Sequence, residues 1–307
     1  MKDNDTLRRF LFENQDIRGE IVQLDNSWKE ILSHHNYPPL IRHYLGEIMA
    51  ATVLLAATLK IDGSLSIQAN GNGLLNLLVA ECRNDLSIRA IAKYNEKKLA
   101  TLTEEIEKSQ IDKDNIGKNK AADLSALLTD GSLVITIEQN KGQRYQGIVA
   151  IKGNSIATML ENHLLQSEQL KTKIVLACNE NKSAGLLLQE LPHQTTEHLQ
   201  QWEEMSLLAD TLSDEELLTL NSEEIIHRLF NQHDVRQFDA QEVKFKCTCS
   251  HQKVSNMLLS LDYQEAKDII HQSEFIEVSC EFCNKMYRFD ELDITEIFSH
   301  KEKPTYH

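Results

Sequence analysis

The sequence predicts an α/β (α+β) N-terminal domain with mixed sheets and helices, a helical linker, and a small C-terminal domain whose cysteines mark it as zinc-binding. Three observations lead to this architecture. Alternating apolar segments surround one long apolar helical segment before residue 192. Glycine and proline are absent from Trp202 to Phe230, and four of the six cysteines lie after Val243. The predicted domains are residues 1–191, 192–242 and 243–307.

The first domain is predicted to contain one central helix and several strands. Apolar residues follow Pro38-Pro39 at helical spacing from Ile41 to Leu59, so a helix is expected to begin there. Apolar patterns predict strands at 65–69, 133–137, 145–151, 173–178 and 186–188.

Turns and loops are predicted between these elements. Asp62-Gly63 and Asp130-Gly131 each precede a predicted strand, as turn residues do. The glycine-rich segment 70–73 is followed by no GK[ST] motif, so it indicates a hairpin turn rather than a phosphate-binding loop. The charged segment 95–120 is expected to be a surface excursion.

The linker is predicted to be a chain of short amphipathic helices. Ser213 and Glu216 match a capping box at a helix start, and Asn221 and Glu224 resemble one. Apolar stripes follow each of these signals. Because exposed stripes of this size promote association, we expect the first domain to cover them.

Charge and hydropathy indicate the compartment and exclude some partners. The 47 acidic residues outnumber the 32 basic ones, and the net charge of −15 argues against binding to nucleic acid. The N-terminus is charged and lacks the apolar run of a secretory signal. The apolar run from Leu45 to Leu59 contains Glu47 and is too short to span a bilayer. We therefore predict a cytoplasmic protein that does not interact with membranes.

Two close cysteine pairs carry the chemistry. Cys247-Thr248-Cys249 and Cys280-Glu281-Phe282-Cys283 are separated by about thirty residues, which is typical of a four-thiolate zinc site. Asp262 and Glu265 predict a helix between the pairs. We expect one zinc ion per chain. It would supply the stability that so small a domain cannot obtain from its core alone.

The remaining cysteines and histidines are predicted to lie outside the site. Cys82 and Cys178 are expected to be core residues in or beside strands. His251 and His271 are expected at the surface, because four cysteines already complete a zinc site. The spacing alone leaves two hypotheses open for the cysteine pairs. They form either an inert zinc module or a redox switch, since neighbouring thiols are poised to oxidise when the ion leaves.

The chain contains the segments Phe10-Leu11-Phe12-Glu13-Asn14, Arg18-Gly19-Glu20, Arg144-Tyr145-Gln146-Gly147, Ser167-Glu168-Gln169-Leu170 and Phe245-Lys246-Cys247-Thr248-Cys249. These segments resemble a known bacterial family, the redox-regulated chaperone heat-shock protein 33. They occur in family order over nearly the whole chain, and the C-x-C and C-x-x-C pairs are the most specific. One departure is Asn284, which stands directly after the C-x-x-C pair where the family often has glycine. Asparagine also tolerates a left-handed turn, so zinc binding is expected to survive.

The resemblance implies an ATP-independent holdase and not an enzyme. It implies a reduced, zinc-bound, inactive form, and an oxidised form with redox-active disulfides Cys247–Cys249 and Cys280–Cys283. It further implies that the linker then unfolds and that the first domain binds unfolding client proteins and dimerises. Clients would later pass to ATP-dependent chaperones. No catalytic residue is predicted.

Two alternatives are weighed against the holdase. The first is a zinc-ribbon nucleic-acid binder, but residues 243–290 contain six Lys or Arg against seven Asp or Glu, a poor balance for reading phosphates. The second is a thiol–disulfide oxidoreductase using Cys280 and Cys283. Such enzymes place the C-x-x-C motif at a helix start in a βαβ context, whereas here it precedes the strand-like segment 287–289.

Overall fold

The computed structural model describes residues 4–13, 15–59, 62–108, 123–142, 144–149, 151, 155–192 and 199–299. The chain divides into two compact units, Met1–Lys246 and Cys247–His307. The strands are β1 Thr6–Phe12, β2 Ile17–Leu24, β3 Gly63–Asn70, β4 Leu75–Arg83, β5 Ser87–Tyr94, β6 Ser132–Gln139, β7 Arg144–Val149, β8 Thr172–Cys178, β9 Ser183–Glu190, β10 Val235–Gln237, β11 Gln241–Glu242, β12 Lys244–Phe245, β13 Ile276–Ser279 and β14 Met286–Phe289. The helices are α1 Asn26–Ser33, α2 Pro39–Thr58, α3 Glu96–Lys108, α4 Leu124–Leu128, α5 Ile156–His163, α6 Leu199–Asp210, α7 Asp214–Thr219, α8 Ser222–Phe230, α9 His251–Leu258, α10 Tyr263–Ser273 and α11 Glu291–Ser299; a π-helical turn, Leu164–Glu168, follows α5.

Two sheets form the frame of the first unit. The first sheet has the order β10-β1-β2-β9-β8, with β11 also paired to β1, and the second has the order β12-β5-β4-β3-β6-β7. The pairs are antiparallel except for β12 and β5, which are parallel. The predicted mixed α/β architecture with sheets and helices is therefore confirmed, whereas the three-domain division remains a prediction.

Helix α2 forms the centre of the larger core. Apolar residues of both sheets pack around it in one cluster, and it is buried on nearly all sides, which explains why its sequence is apolar all round. The bilayer argument from length was wrong, because the helix has 20 residues and is long and apolar enough to cross a membrane. However, 89% of the apolar 18-residue stretch of this helix is buried inside the protein, as expected for a core helix.

The predicted strands and turns are largely reproduced. The segment 70–73 joins the antiparallel strands β3 and β4, so the predicted hairpin is confirmed. Strand β7 ends at Val149, two residues before the predicted end. Part of the charged excursion forms helix α3, and residues 109–122 lie outside the described part of the chain.

Helices α6, α7 and α8 cover the face of the first sheet that is turned away from α2. Their apolar side chains form a second cluster with those of β1, β2, β8 and β9. Both predicted capping boxes are present, at Ser213 and at Asn221. The expectation that the first domain covers the apolar stripes is thus confirmed. Between the two clusters lies a single sheet with one face on α2 and the other on the linker helices.

The second unit is small and has its own core. Helices α9, α10 and α11 pack with the hairpin β13–β14 around nine buried residues. Asp262 caps α10 by accepting a hydrogen bond from the Gln264 amide, so the predicted helix start is confirmed, although Glu265 does not complete a box. A core of this size provides little stability without a further constraint.

Candidate metal centre

The four C-terminal cysteines converge from two parts of the second unit. Cys247 and Cys249 precede α9, which Ser250 caps by accepting a hydrogen bond from the Lys253 amide. Cys280 and Cys283 lie in the turn between β13 and β14. The sulfur atoms of all four cysteines lie within 4.8 Å of one another. Among the Asp, Glu, His and Cys side chains that the structure describes, these four form the group that could hold a metal ion.

The turn that holds the second pair is fixed by backbone hydrogen bonds. The Cys280 amide donates to the Lys285 carbonyl at 2.9 Å, and the Asn284 amide donates to the Cys280 carbonyl at 2.8 Å. Asn284 has a φ of 54°, in the left-handed region that glycine occupies most easily. The expected left-handed turn at this departure from the family pattern is therefore confirmed.

The donor set and its spacing fit zinc. Cys247 Sγ lies 3.6 Å from Cys280 Sγ, and Cys249 Sγ lies 3.5 Å from Cys283 Sγ. A regular tetrahedron with Zn–S bonds of about 2.3 Å has edges of about 3.8 Å, so four thiolates at these distances could hold one zinc ion. The six cysteines are all free of disulfides.

The cluster stabilises one sulfur as a thiolate. Burial opposes the ionisation of Cys249, but hydrogen bonds from Tyr287 and from the neighbouring thiols lower its pKa to about 7. The Tyr287 hydroxyl donates to Cys249 Sγ at 3.1 Å. Burial raises the pKa of both Cys247 and Cys283. A thiol that ionises near neutral pH is in the form that binds metal and reacts with oxidants.

Tyr287 is a site residue that the sequence analysis missed. Tyr287 and Cys249 are 38 positions apart, so no local pattern indicates their hydrogen bond. The sequence around Tyr287 indicated only a strand at 287–289. An aromatic residue four positions after Cys283 is the one available signal. It places a hydroxyl beside the cluster, where it orients a ligand sulfur in the way that outer partners of metal sites do.

The other predicted positions are not members of the cluster. Cys82 is fully buried on β4, and burial raises its pKa to about 12. Cys178 ends β8, and burial raises its pKa too. The exposed His251 packs its ring against Phe289 with centroids 4.6 Å apart, and His271 is exposed on α10. The predictions for these four residues are confirmed.

The fold and the cysteine cluster together define a class of protein: a two-sheet α/β unit with a helix-covered sheet face, followed by a small module with four converging thiols. The family model described as Hsp33 protein matches residues 5–290. The chain belongs to the Hsp33 chaperone family, which confirms the resemblance drawn from the sequence.

Relatives and a solved structure agree with this assignment. The chain is 42% identical over 302 residues to the 33 kDa chaperonin of Methylobacillus flagellatus, covering 97% of this chain and 96% of that one. It is 43% identical over 303 residues to the 33 kDa chaperonin of Chromobacterium violaceum, covering 98% and 96%. The crystal structure of the 33 kDa chaperonin from Thermotoga maritima has the same fold, with a TM-score of 0.76, 19% identity, and coverage of 97% of this chain and 99% of that one.

Proposed function

We propose that this protein is a redox-regulated, ATP-independent holdase of the cytoplasm and not an enzyme. In its reduced form it would hold one zinc ion on Cys247, Cys249, Cys280 and Cys283 and be inactive. The observation that carries the proposal is the presence in one chain of a four-thiol cluster and a sheet whose apolar face is covered by helices. Zinc, when bound, would keep the sulfurs as thiolates and link the two halves of the module.

The chemical step is the oxidation of neighbouring thiols. In each pair, two thiolates give two electrons to hydrogen peroxide, which takes up two protons from solvent and leaves as two water molecules while one disulfide forms. We propose the pairs Cys247–Cys249 and Cys280–Cys283, as the family resemblance implies.

The consequence lies in the linker, which we propose spans residues 192–242, between the client-binding and dimerisation domain 1–191 and the redox-switch domain 243–307. Loss of the metal-bound module would release α6–α8 and expose the apolar sheet face. That face includes Phe10, Phe12, Leu186 and Leu188 and is suited to bind unfolding clients. We further propose that the oxidised form is a homodimer that hands clients to ATP-dependent chaperones. Neither nucleic acid nor a membrane is a proposed partner.

The test measures zinc content and aggregation suppression on the same sample. The reduced protein should contain one zinc per chain and protect a heat-denatured model client poorly. After treatment with hypochlorite, or with peroxide and mild heat, it should lose zinc and protect the client without ATP. Equal protection by the reduced, zinc-loaded protein would leave a constitutive holdase and remove the switch. An insulin-reduction assay run in parallel should show no oxidoreductase activity.

A further inference from the structure

The outer edge of β1 is occupied by a segment of the same chain. This segment, residues 234–243, is called the strap here, and it runs antiparallel to β1 through strands β10 and β11. Backbone hydrogen bonds extend the pairing beyond both strands. The Glu13 amide donates to the Asp234 carbonyl at 2.8 Å, and the Val243 amide donates to the Asp5 carbonyl at 2.8 Å. The strap therefore pairs with β1 along nearly its whole length.

The strap is held mainly by its backbone. Of its ten residues, Val243 is buried and Val235 is half-buried, while the other eight are exposed. Such an attachment does not depend on the side chains of the attached segment. Any extended segment of polypeptide without interrupting prolines can make the same main-chain hydrogen bonds to an edge strand.

The edge adjoins the apolar face under the linker helices. Phe10 and Phe12 on β1 pack against Phe230 of α8, with ring centroids 6.0 and 5.0 Å apart. The strap begins four residues after Phe230 and ends four residues before Cys247. Departure of the linker helices together with the strap would uncover the edge and the apolar face at the same time.

We infer that the outer edge of β1 binds an extended segment of an unfolded client by antiparallel strand addition; this inference rests on the proposed holdase function. Backbone hydrogen bonds would hold the client without regard to its sequence. Because side chains alternate along a strand, every second client residue would lie beside Phe10 and Phe12, and apolar residues would be favoured there. This edge suits a partner that is unfolded, extended and alternately apolar.

The strap also explains why the edge would be closed in the inactive form. A tethered segment competes at an effective concentration in the millimolar range, which a dilute client cannot match. Client binding to the edge therefore requires that the strap leave first. The strap acts as an internal substitute for the client segment.

The first test follows individual amides of the full-length protein by hydrogen exchange. Antiparallel pairing uses alternate residues, so the amides of Leu11 and Glu13 point to the strap and those of Arg8 and Phe10 point to β2. Oxidation should speed exchange of the strap-facing amides by at least about tenfold, because their partners leave. Addition of an unfolding client should slow them again, while the amides facing β2 remain protected throughout.

Two outcomes would overturn the inference. Strap-facing amides that stay fast while the client is bound would show that the client uses side-chain contacts alone. Strap-facing amides that stay protected in the oxidised protein without client would show that the strap remains, or that the strap of a second copy replaces it. Absence of any complex with the client would instead overturn the holdase function, and the aggregation assay reports that failure separately.

The second test varies the peptide backbone. A soluble peptide of about ten alternating valine and threonine residues is compared with two N-methylated versions. One version is methylated on the backbone nitrogens of the valines, and the other on those of the threonines. Strand addition uses the amides of one phase only, so one version should bind the oxidised protein about tenfold more weakly and the other like the parent. Equal binding by both versions, or equal loss in both, would contradict strand addition.

Discussion

Substitution of Gln23 by methionine should release the linker helices without any oxidant. Gln23 lies on β2 within the face covered by α6–α8 and is 3% exposed. Its Nε2 atom donates to the Leu217 carbonyl at 3.1 Å and to the Leu220 carbonyl at 2.7 Å. Both carbonyls lie at the C-terminal end of α7, where a helix has no partners of its own for them. Methionine keeps the length of the side chain and removes both donors.

The expected effect is large for a single side chain. Each buried carbonyl left without a donor costs about 1–3 kcal/mol, so loss of both should destabilise the packed linker by about 2–6 kcal/mol. A difference of 3 kcal/mol raises the equilibrium constant for local opening by about two powers of ten. The rest of the first unit should be affected less, because helix α2 packs on the opposite face of the same sheet.

Hydrogen exchange on the reduced, zinc-loaded protein measures this opening. Amides of α7 and α8 should lose protection about 100-fold in Gln23→Met, and the reduced variant should suppress aggregation. The matched control is Gln189→Met, which removes another buried glutamine whose Nε2 donates to Thr172 Oγ1 at 2.9 Å. If α7 and α8 stay as protected as in the wild type, or lose protection equally in the control, Gln23 does not hold the linker.

Four further predictions concern the site, the core and the coupling between them. Replacing any of Cys247, Cys249, Cys280 or Cys283 by serine should weaken zinc binding severely, whereas Cys82→Ser and Cys178→Ser should not. A chelator titration measures the zinc affinity of each variant, and a wild-type protein that binds no metal would contradict the prediction. Tyr287→Phe removes the hydrogen bond to Cys249 and should lower zinc affinity about tenfold in the same titration; unchanged affinity would exclude an orienting role. Burial raises the pKa of Glu20 from 4.5 to about 7 against the opposing charges of Arg18 and Arg9, so the folded state keeps a proton that the unfolded state has lost. Stability should therefore fall by about 3 kcal/mol as the pH rises from about 4.5 to 7, and Glu20→Gln should abolish that slope in denaturant titrations at several pH values. Finally, a chain that ends at residue 242 should lose exchange protection in α6–α8 and suppress aggregation under reducing conditions; a protected, inactive fragment would show that the C-terminal module does not hold the linker in place.

Local signals in the sequence predicted the parts of the structure that depend on local chemistry. The capping boxes at Ser213 and Asn221 were predicted because the pattern and the hydrogen bonds both lie within one turn. The four cysteines were predicted as a cluster because thiol pairs at such spacings have few other uses in a reducing compartment. The left-handed turn at Asn284 was expected from the family resemblance instead, because the family often has glycine at this position and few other residues tolerate positive φ.

Pairing across long distances in sequence could not be predicted in the same way. Strands β11 and β12 have two residues each, too few to show a period, and the strap exposes most of its side chains. Gln23 looks like a solvent-facing position of an ordinary strand, because nothing local indicates that α7 lies above it. A residue that acts on a carbonyl almost 200 positions away becomes visible only when the sheet and its cover are placed together.

Under the proposed function, the two covers of the first sheet have different roles because they are held by different forces. Helices α6–α8 contribute nine of the eighteen buried residues in their cluster, and Leu212 between α6 and α7 adds a tenth, so their attachment grows with buried apolar area. The strap depends on backbone hydrogen bonds worth about 0.5–1.5 kcal/mol each. Cys247 follows the strap by four residues with strand β12 between them, so a change in the module passes through the β12–β5 pair and reaches the strap before the helices. The strap then sets the threshold for release, and the helices determine how much apolar surface that release exposes.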